Sequence, residues 1–134
     1  MPELEHSSAL IRAFIAPERR ERYLALLASR RGRDKLRAAL ARLHDLDRRC
    51  CHDLPKGVHS AQEIGALLKA KGAPDECVLL AEDVALDGQC LPLGEALQTV
   101  IGRGMGTFIS CLPVRLAFYE GEDLGVRYVL EPAI

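Results

Sequence analysis

The densest group of chemically reactive side chains occupies one short stretch near the middle of the chain. It contains three of the four histidines, two of the five cysteines and one aspartate: His44, Cys50, Cys51, His52, Asp53 and His59. Zinc prefers such thiolate, imidazole and carboxylate ligands. However, structural zinc sites usually present paired ligands a few residues apart on two arms, and adjacent cysteines are strained as ligands of one ion. We therefore predict no metal and no cofactor, with Cys51, His52 and His59 as the best candidates for a metal site.

A cysteine nucleophile activated by histidine is a further hypothesis for the same stretch. Nucleophile and base must meet in space, and adjacency in sequence does not supply that geometry. The alternative without a functional role is that His44 lies on the polar side of a helix and that Cys50 and Cys51 lie at its end.

A glycine-rich segment, Gly102-Arg103-Gly104-Met105-Gly106-Thr107, is reminiscent of a phosphate-binding loop. Phosphate loops lead from a strand into the N-terminus of a helix, whereas this segment follows a predicted helix and precedes a predicted strand. We therefore expect a helix C-cap followed by a tight turn. The three glycines still require a reason, such as the close passage of another backbone or of a ligand.

Two acidic groups have residue types suited to acid–base chemistry or Mg²⁺ binding. One follows a predicted strand and the other occupies a predicted hairpin loop: Glu82, Asp83 and Asp87, then Glu120, Glu122 and Asp123. Acidic turns are common on solvated surfaces, and Asp87-Gly88 is a favoured turn pair. Because spacing identifies no base, nucleophile or orienting partner, the catalytic residues stay unknown.

The charge of the chain is unevenly distributed. Residues 19–49 hold eleven basic and four acidic residues, a net charge of +7, whereas residues 50–134 hold six basic and twelve acidic residues, a net charge of −6. Lys35, Arg42 and Arg49 share one stripe if this region is a continuous helix. A cationic face of this kind suits phosphate contacts or self-association. The candidate nucleic-acid contacts are Arg30, Arg31, Arg33, Lys35, Arg42 and Arg49.

Helices are predicted in the first half of the chain. Pro17 suits the first position of a helix and Gly32 the left-handed residue just past its end. A second helix follows, with an apolar seam at Leu36, Ala39, Leu40, Leu43 and Leu46, in which Leu40 and Leu43 are expected to be buried. The apolar arm before Pro17 (Ala9, Leu10, Ile11, Phe14 and Ile15) fits either helix or strand.

Later elements carry clearer signals. Ser60-Ala61-Gln62-Glu63 is a capping box that starts a helix at Ala61, and Gly72 and Pro74 end it. Cys77 to Ala81 forms a short buried strand, and Leu93 to Ile101 a helix ended by Gly102. Antiparallel strands are predicted over 107–112, 114–120 and 126–131, the last two joined by a hairpin loop at 121–125.

These elements predict an α+β fold, with an N-terminal helical hairpin and further helices packed on a C-terminal, mostly antiparallel sheet. A length of 134 residues suits a single domain. We divide it into an arm (1–16), a mainly helical part (17–72) and a mixed part that ends in the sheet (73–134).

Composition limits the setting of the protein. No apolar run approaches the length of a membrane span and the N-terminus is acidic, so we expect a cytoplasmic protein with no membrane partner. An odd number of irregularly spaced cysteines indicates free thiols. Fourteen arginines against four lysines suggest a G+C-rich, bacterial genome.

The function predicted from sequence is a non-catalytic protein-interaction or regulatory domain that self-associates as a homodimer. The apolar arm, or an edge of the sheet, is expected to supply the apolar surface of that dimer. Two alternatives remain open. One is nucleic-acid binding by the basic hairpin 19–49, and the other is a small enzyme that uses segment 44–59 or an acidic loop.

Overall fold

A computed structural model describes residues 2–123 and 126–132. Five α-helices and six strands form within these residues. The helices are α1 (Pro2–Phe14), α2 (Arg20–Leu27), α3 (Arg30–Ala39), α4 (Ala61–Ala70) and α5 (Leu93–Val100). The strands are β1 (Cys51–Asp53), β2 (Glu76–Ala81), β3 (Cys90–Pro92), β4 (Thr107–Leu112), β5 (Leu116–Glu120) and β6 (Arg127–Leu130).

All six strands join one antiparallel sheet in the order β1-β6-β5-β4-β2-β3. The predicted α+β class is therefore confirmed. The short edge strands β1 and β3 were not predicted, because three residues are too few to show a period. β1 brings a piece of the N-terminal half into a sheet that we expected to be C-terminal.

Both faces of the sheet are covered, which explains why its strands read as continuous apolar runs rather than alternating ones. Side chains of neighbouring strand residues point to opposite faces. Leu80, Phe108 and Tyr119 pack with α1, α2 and α3. Leu79, Ile109 and Phe118 pack with α4 and α5 on the other side. The molecule thus has a helical layer on each face of the sheet.

The apolar arm is helix α1, and its apolar residues lie at helical spacing. Leu10, Ile11 and Phe14 are 1–3% exposed and pack against the sheet. Ile15, just past the helix, pairs with Leu46 through an isolated antiparallel bridge. The arm therefore belongs to the core, and the expectation that it supplies an exposed dimer surface is wrong.

The helical hairpin breaks earlier than predicted. Pro17 begins a 3₁₀ turn that leads into α2, but α2 ends at Leu27 and Ser29 caps α3, where its Oγ accepts the Gly32 amide at 3.0 Å. Gly32 thus lies inside α3 and is not a C-cap. Its role is close approach, since a Cβ there would lie 2.3 Å from the Leu26 carbonyl oxygen.

The second helix also ends earlier than its leucine spacing predicts. α3 stops at Ala39, a 3₁₀ turn covers Leu40–Arg42, and Leu43 is extended, with φ −80° and ψ 110°. Leu40 is fully buried, which confirms that prediction, but Leu43 is only partly buried. The leucine pattern therefore spans a helix, a turn and an extended segment.

Several local predictions are confirmed. The capping box forms, since Ser60 Oγ accepts the Glu63 amide and Glu63 accepts the Ser60 amide, each at 3.1 Å. Gly72 and Gly102 adopt left-handed conformations just beyond their helices. Antiparallel strands form at the C-terminus, although the first strand of the β5–β6 hairpin begins at Leu116 because Val114 occupies a turn. Leu124 and Gly125 of the predicted hairpin loop lie outside the described residues.

Within the described residues, no helix is both long and apolar enough to span a membrane.

The two glycines in the first turns of α3 and α5 provide a matched test of this packing. We expect Gly32→Ala to lower the free energy of unfolding by about 1–3 kcal/mol, because its methyl group meets backbone that cannot rotate away. Gly94→Ala should leave stability unchanged or raise it by up to about 1 kcal/mol, because nothing lies within 4 Å of its Cβ position. Urea unfolding measures both, and equal effects would contradict the assigned α2–α3 contact.

Candidate functional site: a cationic groove beside α2 and α3

The side chains of the cysteine- and histidine-rich stretch do not converge on one site. Cys50 is buried and its Sγ lies 3.6 Å from the Ala13 carbonyl oxygen, whereas His44, His52 and His59 are exposed. Cys51 and His52 are neighbours in β1, so their side chains point to opposite faces. Among the described residues, no three His, Cys, Asp or Glu side chains are grouped so as to hold a metal ion. Cys51, His52 and His59 thus form no common site.

The cysteines are thiols, with no disulfide in the described part of the chain. Burial raises the pKa of Cys51 to about 11 and the pKa values of Cys77 and Cys111 to about 12. The exposed Cys90 donates a hydrogen bond to Glu76 Oε2 at 3.3 Å, which raises its pKa. Since the thiolate is the nucleophile, these raised pKa values disfavour cysteine catalysis.

The glycine-rich segment is a helix cap and turn, as expected. Its amides already have anionic partners, since Gly102 N–H donates to Glu120 Oε1 and Gly106 N–H to Glu82 Oε1, both at 3.2 Å. A phosphate would be repelled by these carboxylates. Backbone geometry explains the three glycines. Gly102 and Gly104 have positive φ, and a Cβ on Gly106 would lie 2.1 Å from the Leu40 carbonyl carbon.

The acidic residues after β2 serve mainly as partners for arginines and backbone amides of the chain itself. Asp87 accepts Arg33 Nε at 3.2 Å and the Ala81 amide at 3.0 Å. Asp83 pairs with Arg103 at 2.9 Å. These bonds join the loop after β2 to α3 and to the glycine-rich segment, so the carboxylates act structurally.

The basic stripe does not form, because α3 ends before Arg42 and Arg49 lies in a separate 3₁₀ turn. Three of the six candidate nucleic-acid contacts are paired: Arg33 with Asp87 at 3.2 Å, Arg42 with Glu122 at 2.6 Å and Arg49 with Asp47 at 2.9 Å. Arg30, Arg31 and Lys35 are exposed. The structure therefore divides the predicted basic face.

A groove of about 590 Å³ lies between α2, α3 and the segment 41–45. Its apolar lining comes from alanines and leucines of the three elements, including Leu26, Ala38 and Leu43. Its cationic lining comes from Arg22 on α2, Lys35 on α3 and Arg42 beyond α3, with His44 beside them. The groove is thus apolar in part and cationic around it.

The acidic residues of the groove are already engaged. Tyr23 donates a hydrogen bond to Asp45 Oδ2 at 2.5 Å, and burial together with this bond raises the pKa of Tyr23. Glu122 accepts Arg42 Nε. By contrast, neither Arg22 nor Lys35 forms an ion pair with any described residue. Two charges therefore face the groove without an internal counter-charge.

A smaller cavity of about 180 Å³ lies on the other side of the segment 41–44. Arg42, His44 and Glu122 line both cavities, and Arg48 and Tyr128 line the smaller one, where the arginine donates to the phenol at 3.4 Å. The smaller cavity thus adjoins the groove, but Glu122 and Asp123 line it together with the two arginines.

Sequence reasoning identified Lys35 and Arg42 but missed Arg22, and it expected His44 on the polar side of a helix, not beside a groove. Arg22 and Lys35 lie on different helices, and only the close α2–α3 contact at Gly32 brings both to one groove. The signal that locates this contact, a glycine inside a helix, also fits a helix end.

Comparisons with protein-family models, with curated proteins and with solved structures found no match to this chain.

The thiol chemistry of Cys90 tests its hydrogen bond to Glu76. We expect Glu76→Gln to lower the pKa of Cys90, because the thiolate then no longer faces a negative charge. Reaction of the folded protein with Ellman's reagent near neutral pH should therefore become faster. Asp75→Asn removes a neighbouring carboxylate that pairs with Lys69, and it should leave the rate unchanged. Unfolding without reductant should expose five thiols, and an unchanged rate in Glu76→Gln would contradict the bond.

Proposed function

We propose that this protein is a non-catalytic binding domain that holds an acidic, partly apolar segment of a partner protein in the cationic groove. One observation carries the proposal. Arg22 and Lys35 face a groove with an apolar lining and lack an acidic partner among the described residues.

The size and composition of the groove support a peptide ligand. Its volume of about 590 Å³ falls within the usual range of about 300–1,000 Å³ for ligand sites. Alanine and leucine side chains offer apolar contact, while the cations select carboxylates and speed the encounter. The groove offers binding groups without a nucleophile that a base activates, which favours binding over catalysis.

Nucleic-acid binding by the hairpin 19–49 is the second candidate, supported by the exposed Arg30 and Arg31. Pairing of Arg33, Arg42 and Arg49 with carboxylates weakens it, because a phosphate must displace each acidic partner. Tyr23, the aromatic residue of the groove, is 6% exposed and offers little surface for base stacking.

Self-association as a homodimer stays a prediction, and so does a bacterial, cytoplasmic origin. Burial of α1 removes the apolar surface on which we expected a dimer to depend. The large apolar side chains that are exposed in the described residues are Val84 and Val114. The other surface that we expected a dimer to use is a sheet edge, β1 or β3, each of which has three residues.

Matched double variants test the peptide groove. A fluorescein-labelled peptide of alternating Glu and Leu should bind the folded protein, whereas a Lys and Leu peptide should not. We expect Arg22→Gln with Lys35→Gln to weaken binding about tenfold, since two exposed charge contacts of up to about 1 kcal/mol each are lost. Fluorescence anisotropy measures both affinities, and added salt should weaken the interaction.

The control is Arg30→Gln with Arg31→Gln, which removes the same charge from α3 outside the groove and should leave peptide affinity within about threefold, as expected for screened charges. Equal losses in both double variants would contradict the groove. Binding of duplex DNA that depends on Arg30 and Arg31, with no binding of the acidic peptide, would establish the nucleic-acid candidate instead.

A further inference from the structure

Two segments that are far apart in sequence meet at a third cavity, distinct from the groove and from the cavity of about 180 Å³ beside it. The glycine-rich segment after α5 and the end of β5 with its following loop enclose about 140 Å³. Gly102 and Gly104 contribute backbone from the first segment, and Glu120, Glu122 and Asp123 contribute carboxylates from the second. The cavity thus joins the glycine-rich and acidic motifs of the sequence.

Glu120 is the unusual residue of this cavity. It is 3% exposed, and its Oε1 accepts both Gly102 N–H at 3.2 Å and Arg127 Nε at 2.8 Å. Its Oε2 is buried and has no hydrogen-bond partner among the described residues. Buried carboxylate oxygens are rarely left unpaired, because the desolvated charge then lacks compensation. The free oxygen therefore indicates a donor that the described residues do not supply.

The surrounding charges select a cation as that donor. Three carboxylates line the cavity, whereas Arg127 is the cationic residue that lines it. Arg127 pairs with Glu120 through Oε1, and Glu122 pairs with Arg42. Asp123 forms no ion pair with a described residue and is exposed. The cavity therefore keeps an excess of negative charge.

The geometry points to a primary ammonium group, and we propose that this cavity binds one, donating to Glu120 Oε2 with Glu122 and Asp123 as nearby counter-charges. An ammonium is compact and carries three donors. A divalent metal fits less well, because the described residues contain no group of three His, Cys, Asp or Glu side chains suited to hold one. A Cβ at Gly102 would meet nothing within 4 Å, which leaves the approach open.

Amide chemical shifts test this site. Butylammonium and Nα-acetyl-lysine amide are the probes, and butanol is the neutral control. We expect saturable shifts in the amide signals of Gly102, Gly104 and Gly121 with butylammonium and none with butanol. Binding of both ammonium probes would identify a lysine side chain as an acceptable ligand, and binding of butylammonium alone would identify a small free amine. No shift with either probe, or equal shifts with butanol, would overturn the proposal.

Two glutamates that each accept an amide of the glycine-rich segment provide a matched pair of variants. Glu120→Gln should abolish the shifts, because the amide removes the charge that holds the ammonium. Glu82→Gln makes the same change at a residue that accepts the Gly106 amide outside the cavity, and it should bind as the parent does. If Glu120→Gln fails to fold, the exposed Asp123→Asn decides, with an expected loss of affinity of about threefold. Unchanged affinity in the folded Glu120→Gln or, failing that, in Asp123→Asn would overturn the site.

Discussion

The hydroxyl group of Tyr119 fixes the end of α3, and the architecture around the groove depends on it. Tyr119 lies on the central strand β5, is 1% exposed and donates a hydrogen bond to the Leu40 carbonyl. It also accepts the Leu43 amide at 3.4 Å. Since the last carbonyls of a helix lack partners within the helix, these bonds stabilise an ending that the sequence pattern alone would not impose.

The same helix end explains two glycines and the position of the groove. Glu122 N–H donates to the Ala41 carbonyl at 2.7 Å, and the glycine backbones at 106 and 121 pass close to residues 40–41. A side chain at Gly106 would separate the two segments. Because the chain turns here instead of continuing as a helix, Arg42 and His44 face the groove and Arg42 reaches Glu122. One buried phenol thus links the sheet to the cationic surface.

Local signals allowed much of the fold to be predicted, whereas tertiary contacts decided the rest. The capping box at Ser60 and the left-handed Gly72 act within a few residues, so sequence located them correctly. The end of α3 depends on Tyr119, which lies 79 residues beyond Leu40. Gly32 allows the close contact between α2 and α3, but in the sequence a glycine at this position resembles a helix C-cap. The candidate site follows these long-range contacts, and of its cations only Lys35 and Arg42 could be predicted.

The charge asymmetry of the sequence is partly neutralised inside the chain, where two carboxylates of the acidic half pair with arginines of the basic half. Arg33 pairs with Asp87 and Arg42 with Glu122. Charges so paired contribute little to the field that another molecule meets, since opposite charges a few ångströms apart cancel at a distance. Arg22 and Lys35 in the groove form no ion pair with a described residue. In the cavity of about 140 Å³, Glu120 pairs with Arg127 through Oε1, but its Oε2 accepts no hydrogen bond from a described residue. The groups that the two proposed sites use thus lie in separate cavities and differ in charge, which suits two ligands of opposite charge.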